Sequence, residues 1–497
     1  MAKLQVGLAA EDYQWLPDLL ILNSPDDITT KSPTQFIYTN SRGDTVTVNG
    51  AGFTYSGDTA TGGTISTVVV TNGGGTLLTL DQLADPLKDF VDRILDGDSF
   101  GAMRGLFDGA DQLLGSSESD ALGGFSPGDD IVEGKGGDDH IIADEGNDTI
   151  NDDAGDSWNT LAYTQSFFDK SATKGIKLKV AKGTVKDPWG DKDTFTNIDS
   201  FWGSKYDDKM IGASGRDEFL GLRGDDFLNG KGGLDRADYS WDAEFPKGNK
   251  GIKVDLKKGK IKDGFGDTDK VKSIEAVRGT AKKDVFKGSK KDEEFDGYAG
   301  KDKYKGGKGF DSLVFFSNNF KDGGGGGVVV DVSKGKVIND GYGNKEKFKG
   351  MESYVGTDFA DTFIGSKKDD EFKGEGGNDT MTGGKGADTF VFNPPPDSTT
   401  NHDVITDFNE KQGDKIALWK PGGFPQLNEV DGGLDPAQFV ANAGGNPTNA
   451  NQRIVYDTNT GNLYLDPDGN ASSGDQVLIA TLTNKPVITV DAFEVWI

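Results

Sequence analysis

The chain has 497 residues, 73 of them Gly and none Cys, and a formal net charge of −28. Without Cys there is no disulfide staple, and so negative a chain is a poor partner for nucleic acid, whose binding needs clustered Lys and Arg. No apolar run approaches the roughly 18–20 residues that a membrane helix needs, so no membrane span is expected.

Residues 1–35 hold one short apolar run, Leu16 to Leu22, broken by Pro17 and Asp18. The opening MAKLQVGLAAEDYQWL lacks the apolar core and cleavage site of a classical signal peptide, so none is expected. Over residues 36–72, QFIYTN, DTVTVNG, FTYSG and TISTVVVTN alternate apolar and polar positions between Gly, Asn and Asp turns, which predicts antiparallel strands. From Asp81 to Leu95, the residues Leu83, Leu87, Phe90, Val91, Ile94 and Leu95 stand at helical spacing, with Asp85 and Pro86 placed to start a helix. A sheet plus helix over 36–105 is expected to cap one end of a repetitive body.

That body begins at Leu106 and is written in nine-residue words. The ideal word has Gly at positions one and four, Asp at six and an apolar residue at eight. The clearest run is Gly212 to Asp238: GASGRDEFL, GLRGDDFLN, GKGGLDRAD. Seventeen words share the frame: five start at Leu106, Gly115, Phe125, Gly134 and Ala143, and four each run on from Gly203, Gly279 and Gly356. Position six is Asp in sixteen of them and Glu293 in the other; position eight is always apolar or aromatic.

The first six residues of a word make a turn that needs Gly where φ is positive. The last three make a short strand with one inward residue. Two words form one 18-residue coil of a parallel β-roll, so acids of alternate words share a column. Asp217 and Asp235 should face one row of ions, and Asp208 and Asp226 another. Carboxylates and the carbonyls of facing turns are hard oxygen ligands suited to Ca²⁺. The candidate ligands are Asp130, Asp139 and Asp148 in the first block; Asp208, Asp217, Asp226 and Asp235 in the second; Asp302 and Asp311 in the third; and Asp361, Asp370, Asp379 and Asp388 in the fourth. The turn glycines that go with them are Gly137, Gly146, Gly215, Gly224, Gly233, Gly300, Gly309, Gly377 and Gly386. Lys282, Lys291 and Lys368 stand at position four, where a positive φ would be costly and an ammonium would repel a cation. The first halves of the third and fourth blocks are therefore expected to bind calcium weakly or not at all.

Each of the last three blocks follows a spacer: 175–202, 251–278 and 327–355. Asp263, Asp267 and Asp269 in the middle spacer are candidates for a further cation. The expected segments are 1–35, a cap over 36–105, a first block over 106–156, three spacer-plus-block units over 157–240, 241–316 and 317–393, and a C-terminal cap over 394–497.

The words resemble the RTX nonapeptide of secreted, hemolysin-type calcium-binding proteins. Asp403 to Phe408 followed by Gly413 to Ile416 resembles the closing segment shared by RTX proteins and serralysin-type proteases, and the stretch from Arg453 to Ile497 resembles their β-hairpin tail. This resemblance covers residues 106–497. It implies an all-β parallel β-roll in several blocks, many bound Ca²⁺ ions, and an uncleaved C-terminal signal for a type I secretion apparatus. It also implies a secreted or cell-surface location.

Enzymatic signatures are weak. A serralysin-type protease needs H-E-x-x-H; this chain has two His in all, His140 and His402, both expected on the surface, and zinc hydrolysis fails on ligand count. Gly124-Phe125-Ser126-Pro127-Gly128 spells G-x-S-x-G, but Pro127 lacks the N–H that a nucleophile elbow uses. The expectation is a non-enzymatic surface-layer, matrix or adhesion component that self-associates or binds cell-surface polysaccharide. The alternative is a carbohydrate-binding or toxin/enzyme-accessory protein on an RTX secretion scaffold. Exposed aromatic clusters over 36–72 would mark a carbohydrate binder.

Overall fold

A computed structural model describes residues 3–6, 28–40, 42–56, 59–72, 75–81, 83, 87–88, 90–91, 110–123, 127–153, 155, 157–315, 326–467, 469 and 476–497. Strands dominate, and the chain is an all-β protein built on parallel ladders, a β-roll. It divides into two compact units, Met1–Asp238 with Asp267–Ile274, and Tyr239–Gly266 with Glu275–Ile497.

In the first unit the strands Ile28–Lys31, Gln35–Thr39, Thr45–Ser56, Thr59–Asn72 and Gly75–Asp81 form an antiparallel meander, whose three middle strands the alternation predicts and whose outer two it does not. Lys3–Val6 pairs antiparallel with the last of these and parallel with Gln112–Leu114. It thereby joins the cap sheet to the first ladder of the roll, a role the sequence of residues 1–35 does not announce. Of the expected helix, Leu87, Lys88, Phe90 and Val91 are helical, Asp81 ends a strand, and Asp85, Pro86 and residues 92–95 lie outside the described residues.

The roll follows from the period-two strand of each word. Three-residue strands alternate between two ladders. One runs Ala121–Gly123, His140–Ile142, Thr160–Ala162, Ser200–Trp202, Glu218–Leu220 and Arg236–Asp238. In the second unit the equivalent ladder runs from Ala276–Arg278 through Ser312–Val314 and Glu371–Lys373 to Lys415–Trp419 and Phe493–Trp496. All seventeen position-eight side chains are buried, from Leu113 to Phe390. Aromatic position-eight rings line up with neighbours outside the words: Tyr354, Phe372, Phe390 and Phe408 form a file with centroids 5.8, 6.0 and 6.1 Å apart.

The spacers add a local excursion. Lys177–Lys179 and Lys192–Phe195 sit in parallel ladders, while Thr184–Lys186 runs antiparallel to both. In the second unit Val329–Asp331, Lys336–Asn339 and Glu346–Lys347 repeat the arrangement. The closing segment continues the roll: Asp403–Ile405 pairs parallel with Thr380–Thr382 and with Val477–Leu482. The tail is antiparallel over Ile454–Asp457, Asn462–Leu465 and Val477–Leu482.

Candidate metal sites

A position-six acid is held by the turn on which it stacks. Asp208 donates its backbone N–H to Asp226 Oδ1 at 2.7 Å, and Asp217 to Asp235 Oδ1 at 3.0 Å. Asp111 donates to Asp130, Asp120 to Asp139 and Asp130 to Asp148 at 2.8, 2.8 and 2.9 Å. In the second unit Asp284 donates to Asp302, Glu293 to Asp311, Asp361 to Asp379 and Asp370 to Asp388 at 2.6, 3.1, 2.8 and 2.9 Å. The 18-residue columns expected from the words are therefore present, and all seventeen position-six acids are buried.

The columns run further than the words. Asp148 donates to Asp193 and Asp226 to Asp269, both at 3.0 Å; Asp379 donates to Asp403 at 3.0 Å and Asp388 to Asp414 at 3.2 Å. The word frame misses these four acids. The signal was there: each stands two places before a buried apolar residue, Phe195, Val271, Ile405 or Ile416, as a position-six Asp does before position eight.

A buried carboxylate that loses water must recover partners. The Oδ2 atoms of Asp139, Asp302, Asp311, Asp379 and Asp388 are buried and accept no hydrogen bond. Burial first, and neighbouring carboxylates second, push the Asp139 carboxyl up to about 8. Burial, against opposing backbone hydrogen bonds, holds Asp130, Asp148, Asp361 and Asp388 at about 7. A cation beside these oxygens removes the cost of the charged form.

The glycines shape the rest of the cradle. Eight of the nine candidate turn glycines have a left-handed φ, from 92° at Gly137 to 156° at Gly146. Gly215 does not, and a Cβ there would meet nothing within 4 Å. A Cβ at Gly146, Gly300, Gly309 or Gly386 would overlap the carbonyl oxygen of Gly128, Lys282, Lys291 or Lys368 on the facing turn. Oxygen-rich turns, close glycine contacts and unmatched carboxylate oxygens fit a hard cation such as Ca²⁺. Among the described residues no three Asp, Glu or His side chains form a ready metal cage.

Two expectations need correction. Lys282, Lys291 and Lys368 do not adopt positive φ; their turns take another conformation and avoid that cost. Asp263 accepts the Gly266 N–H at 2.6 Å, and Asp269 extends a column. The histidines are only partly exposed. His140 is half-buried with its ring 5.0 Å from Trp202, edge-on, and burial pushes its pKa down to about 4; His402 is half-buried too.

A family model described as the RTX calcium-binding nonapeptide repeat matches four tracts, residues 126–157, 197–237, 278–313 and 355–390. No curated protein matches the chain in sequence. Among solved structures, the extracellular lipase LipA from Serratia marcescens aligns over 78% of this chain and 40% of its own, at 15% identity and a TM-score of 0.17. A score so low does not relate the two folds, and this chain spans well under half of that lipase. The four tracts fall within the stacked acid columns, and the ions these repeats bind are Ca²⁺, several to the chain.

Proposed function

We propose that this protein is exported and folds on extracellular calcium to serve as a non-enzymatic surface-layer, matrix or adhesion component. The observation that carries this reading is the pair of acid columns. Their buried carboxylates repel one another until a cation arrives, in a chain whose net charge is −28. Such a chain stays unfolded where calcium is scarce and can thread a type I secretion channel. Outside, calcium closes the turns. We assign metal ligation to the position-six acids together with the turn carbonyls.

The cap supports a structural role. Phe36, Tyr38 and Phe53 are buried in the meander, and Tyr55 is half-buried against Phe36 at 6.3 Å. Those rings serve the core and give no support to a carbohydrate platform on 36–72. The half-buried His140, kept neutral at pH 7 by its surroundings, is poorly placed as an acid or base.

The test is to fractionate cultures grown with and without calcium and to image the cells for ordered surface material. Calcium-dependent appearance of the folded protein outside the cell, in an array or matrix, is expected. A protein that remains inside under both conditions overturns the reading.

A further inference from the structure

We propose that calcium takes its carboxylate ligands from only one of two kinds of turn in this chain, and that position two of the word selects the kind. This rests on the calcium reading above and sharpens it.

In the first kind, the position-two N–H donates to the acid of its own word. Ser204 donates to Asp208 Oδ2 at 2.7 Å, Ala213 to Asp217 at 2.8 Å, Thr280 to Asp284 at 2.8 Å, Thr357 to Asp361 at 2.7 Å and Ser366 to Asp370 at 2.7 Å. The hydroxyls of Ser204, Thr280 and Thr357 donate to the same carboxylates at 2.8, 3.0 and 3.1 Å. A third donor closes the other oxygen: Ile176 to Asp208, Ile252 to Asp284 and Val328 to Asp361, each at 2.6 Å. No residue at position two or four of these words has a left-handed φ.

In the second kind, position two is left-handed: Lys135 at 78°, Leu222 at 64°, Lys231 at 82°, Tyr298 at 58°, Gly307 at 144°, Glu375 at 65° and Gly384 at 94°. Position four is left-handed as well, at Gly137, Gly224, Gly233, Gly300, Gly309, Gly377 and Gly386. Five of these words carry Asp139, Asp302, Asp311, Asp379 and Asp388, and in each of these acids Oδ2 is buried and accepts no hydrogen bond. Each of their Oδ1 atoms accepts the acid N–H of a word of the first kind, to which the words of Asp120 and Glu293 also belong: Ser116 donates to Asp120 at 2.5 Å and Ser289 to Glu293 at 3.1 Å.

The two kinds differ in what a cation gains. A carboxylate already holding several N–H and O–H donors presents those positive dipoles to an incoming ion, and binding has to break their bonds. A buried oxygen without a donor carries the full cost of desolvation, and a cation removes it. Order along the chain follows the same rule. In the third and fourth blocks the first two words are closed and the last two open, so each block pairs a half whose acids do not ligate calcium with a half whose acids do. Asp208, Asp217, Asp361 and Asp370 thereby leave the set of carboxylate ligands, although their turns still face the open words.

The experiment counts calcium ions per full-length chain by equilibrium dialysis with radioactive calcium. Asp379→Asn and Asp302→Asn should each lose about one ion; Asp361→Asn and Asp284→Asn should keep the wild-type count. The double variant Thr357→Gly with Phe359→Gly gives a closed word the glycines of an open one and should gain about one ion. Equal losses from Asp361→Asn and Asp379→Asn overturn the inference, as does a double variant that folds without gaining an ion. If Asp379→Asn does not fold, the count in Asp302→Asn against Asp284→Asn decides. A wild-type chain that binds no calcium overturns the parent reading itself, and this one with it.

Discussion

The backbone N–H of Asp361 donates to Asp379 Oδ1 across 2.8 Å, between acids at the same word position 18 residues apart. One coil of the roll is thus tied to the next through a carboxylate whose second oxygen is buried and unmatched. The stability of the columns is set by what reaches that oxygen.

Removing calcium should unfold the roll. The acids repel, and the Gly-rich turns lose much chain entropy on ordering. Circular dichroism in EDTA should show little β signal, recovered cooperatively at calcium concentrations of roughly 10⁻⁴–10⁻³ M. Identical spectra in EDTA and in calcium contradict this.

Acid should partly replace the metal. Burial raises Asp130, Asp148, Asp361 and Asp388 to about 7 and Asp139 to about 8, above their unfolded values. Groups raised on folding favour the folded state below the unfolded pKa of about 4, and that advantage is lost as pH climbs through the folded value. In chelator the β signal should therefore be greater at pH 5 than at pH 8. With calcium present the trend reverses, because ligands must be ionised to bind. Thermal melts at both pH values, with and without EDTA, read the two signs directly.

Core packing gives a metal-independent check. Phe372 is fully buried between Tyr354 and Phe390. Phe372→Ala should lower the stability of the calcium-bound protein by about 3–5 kcal/mol. A denaturant midpoint unchanged from wild type in saturating calcium would remove Phe372 from the core.

Two glycines at the same word position should respond differently. Gly377 has φ +108° and a Cβ there would stand 2.6 Å from the Phe359 backbone; Gly377→Ala should cost more than about 1–2 kcal/mol. Gly215 has open space around it, and Gly215→Ala should stay within about 0.5 kcal/mol of wild type. Equal losses in chemical denaturation argue against the turn geometry.

Export should depend on the C-terminal region. Deleting residues 435–497 is expected to abolish secretion while synthesis continues, and deleting residues 1–35 to leave export intact. Blotting cells and medium separates the outcomes, and the opposite pattern rules out a C-terminal signal.

The sequence by itself determined the word frame, the buried apolar file and the columns of acids. These are local rules repeated at fixed spacing: a turn that needs Gly, a three-residue strand, one inward side chain. The meander over 36–72 was legible for the same reason, since alternation over several residues decides which face is buried. Tertiary structure decided the rest. Only stacking shows that Asp193, Asp269, Asp403 and Asp414 prolong the columns, because their partners lie 24 to 45 residues away in sequence. Only stacking joins Lys3–Val6 to both the cap and the roll. The split between closed and open turns was also hidden. Asp361 and Asp379 occupy the same place in the same word, and what separates them is where a neighbouring N–H points, which φ at position two sets and which the letter at position six does not record.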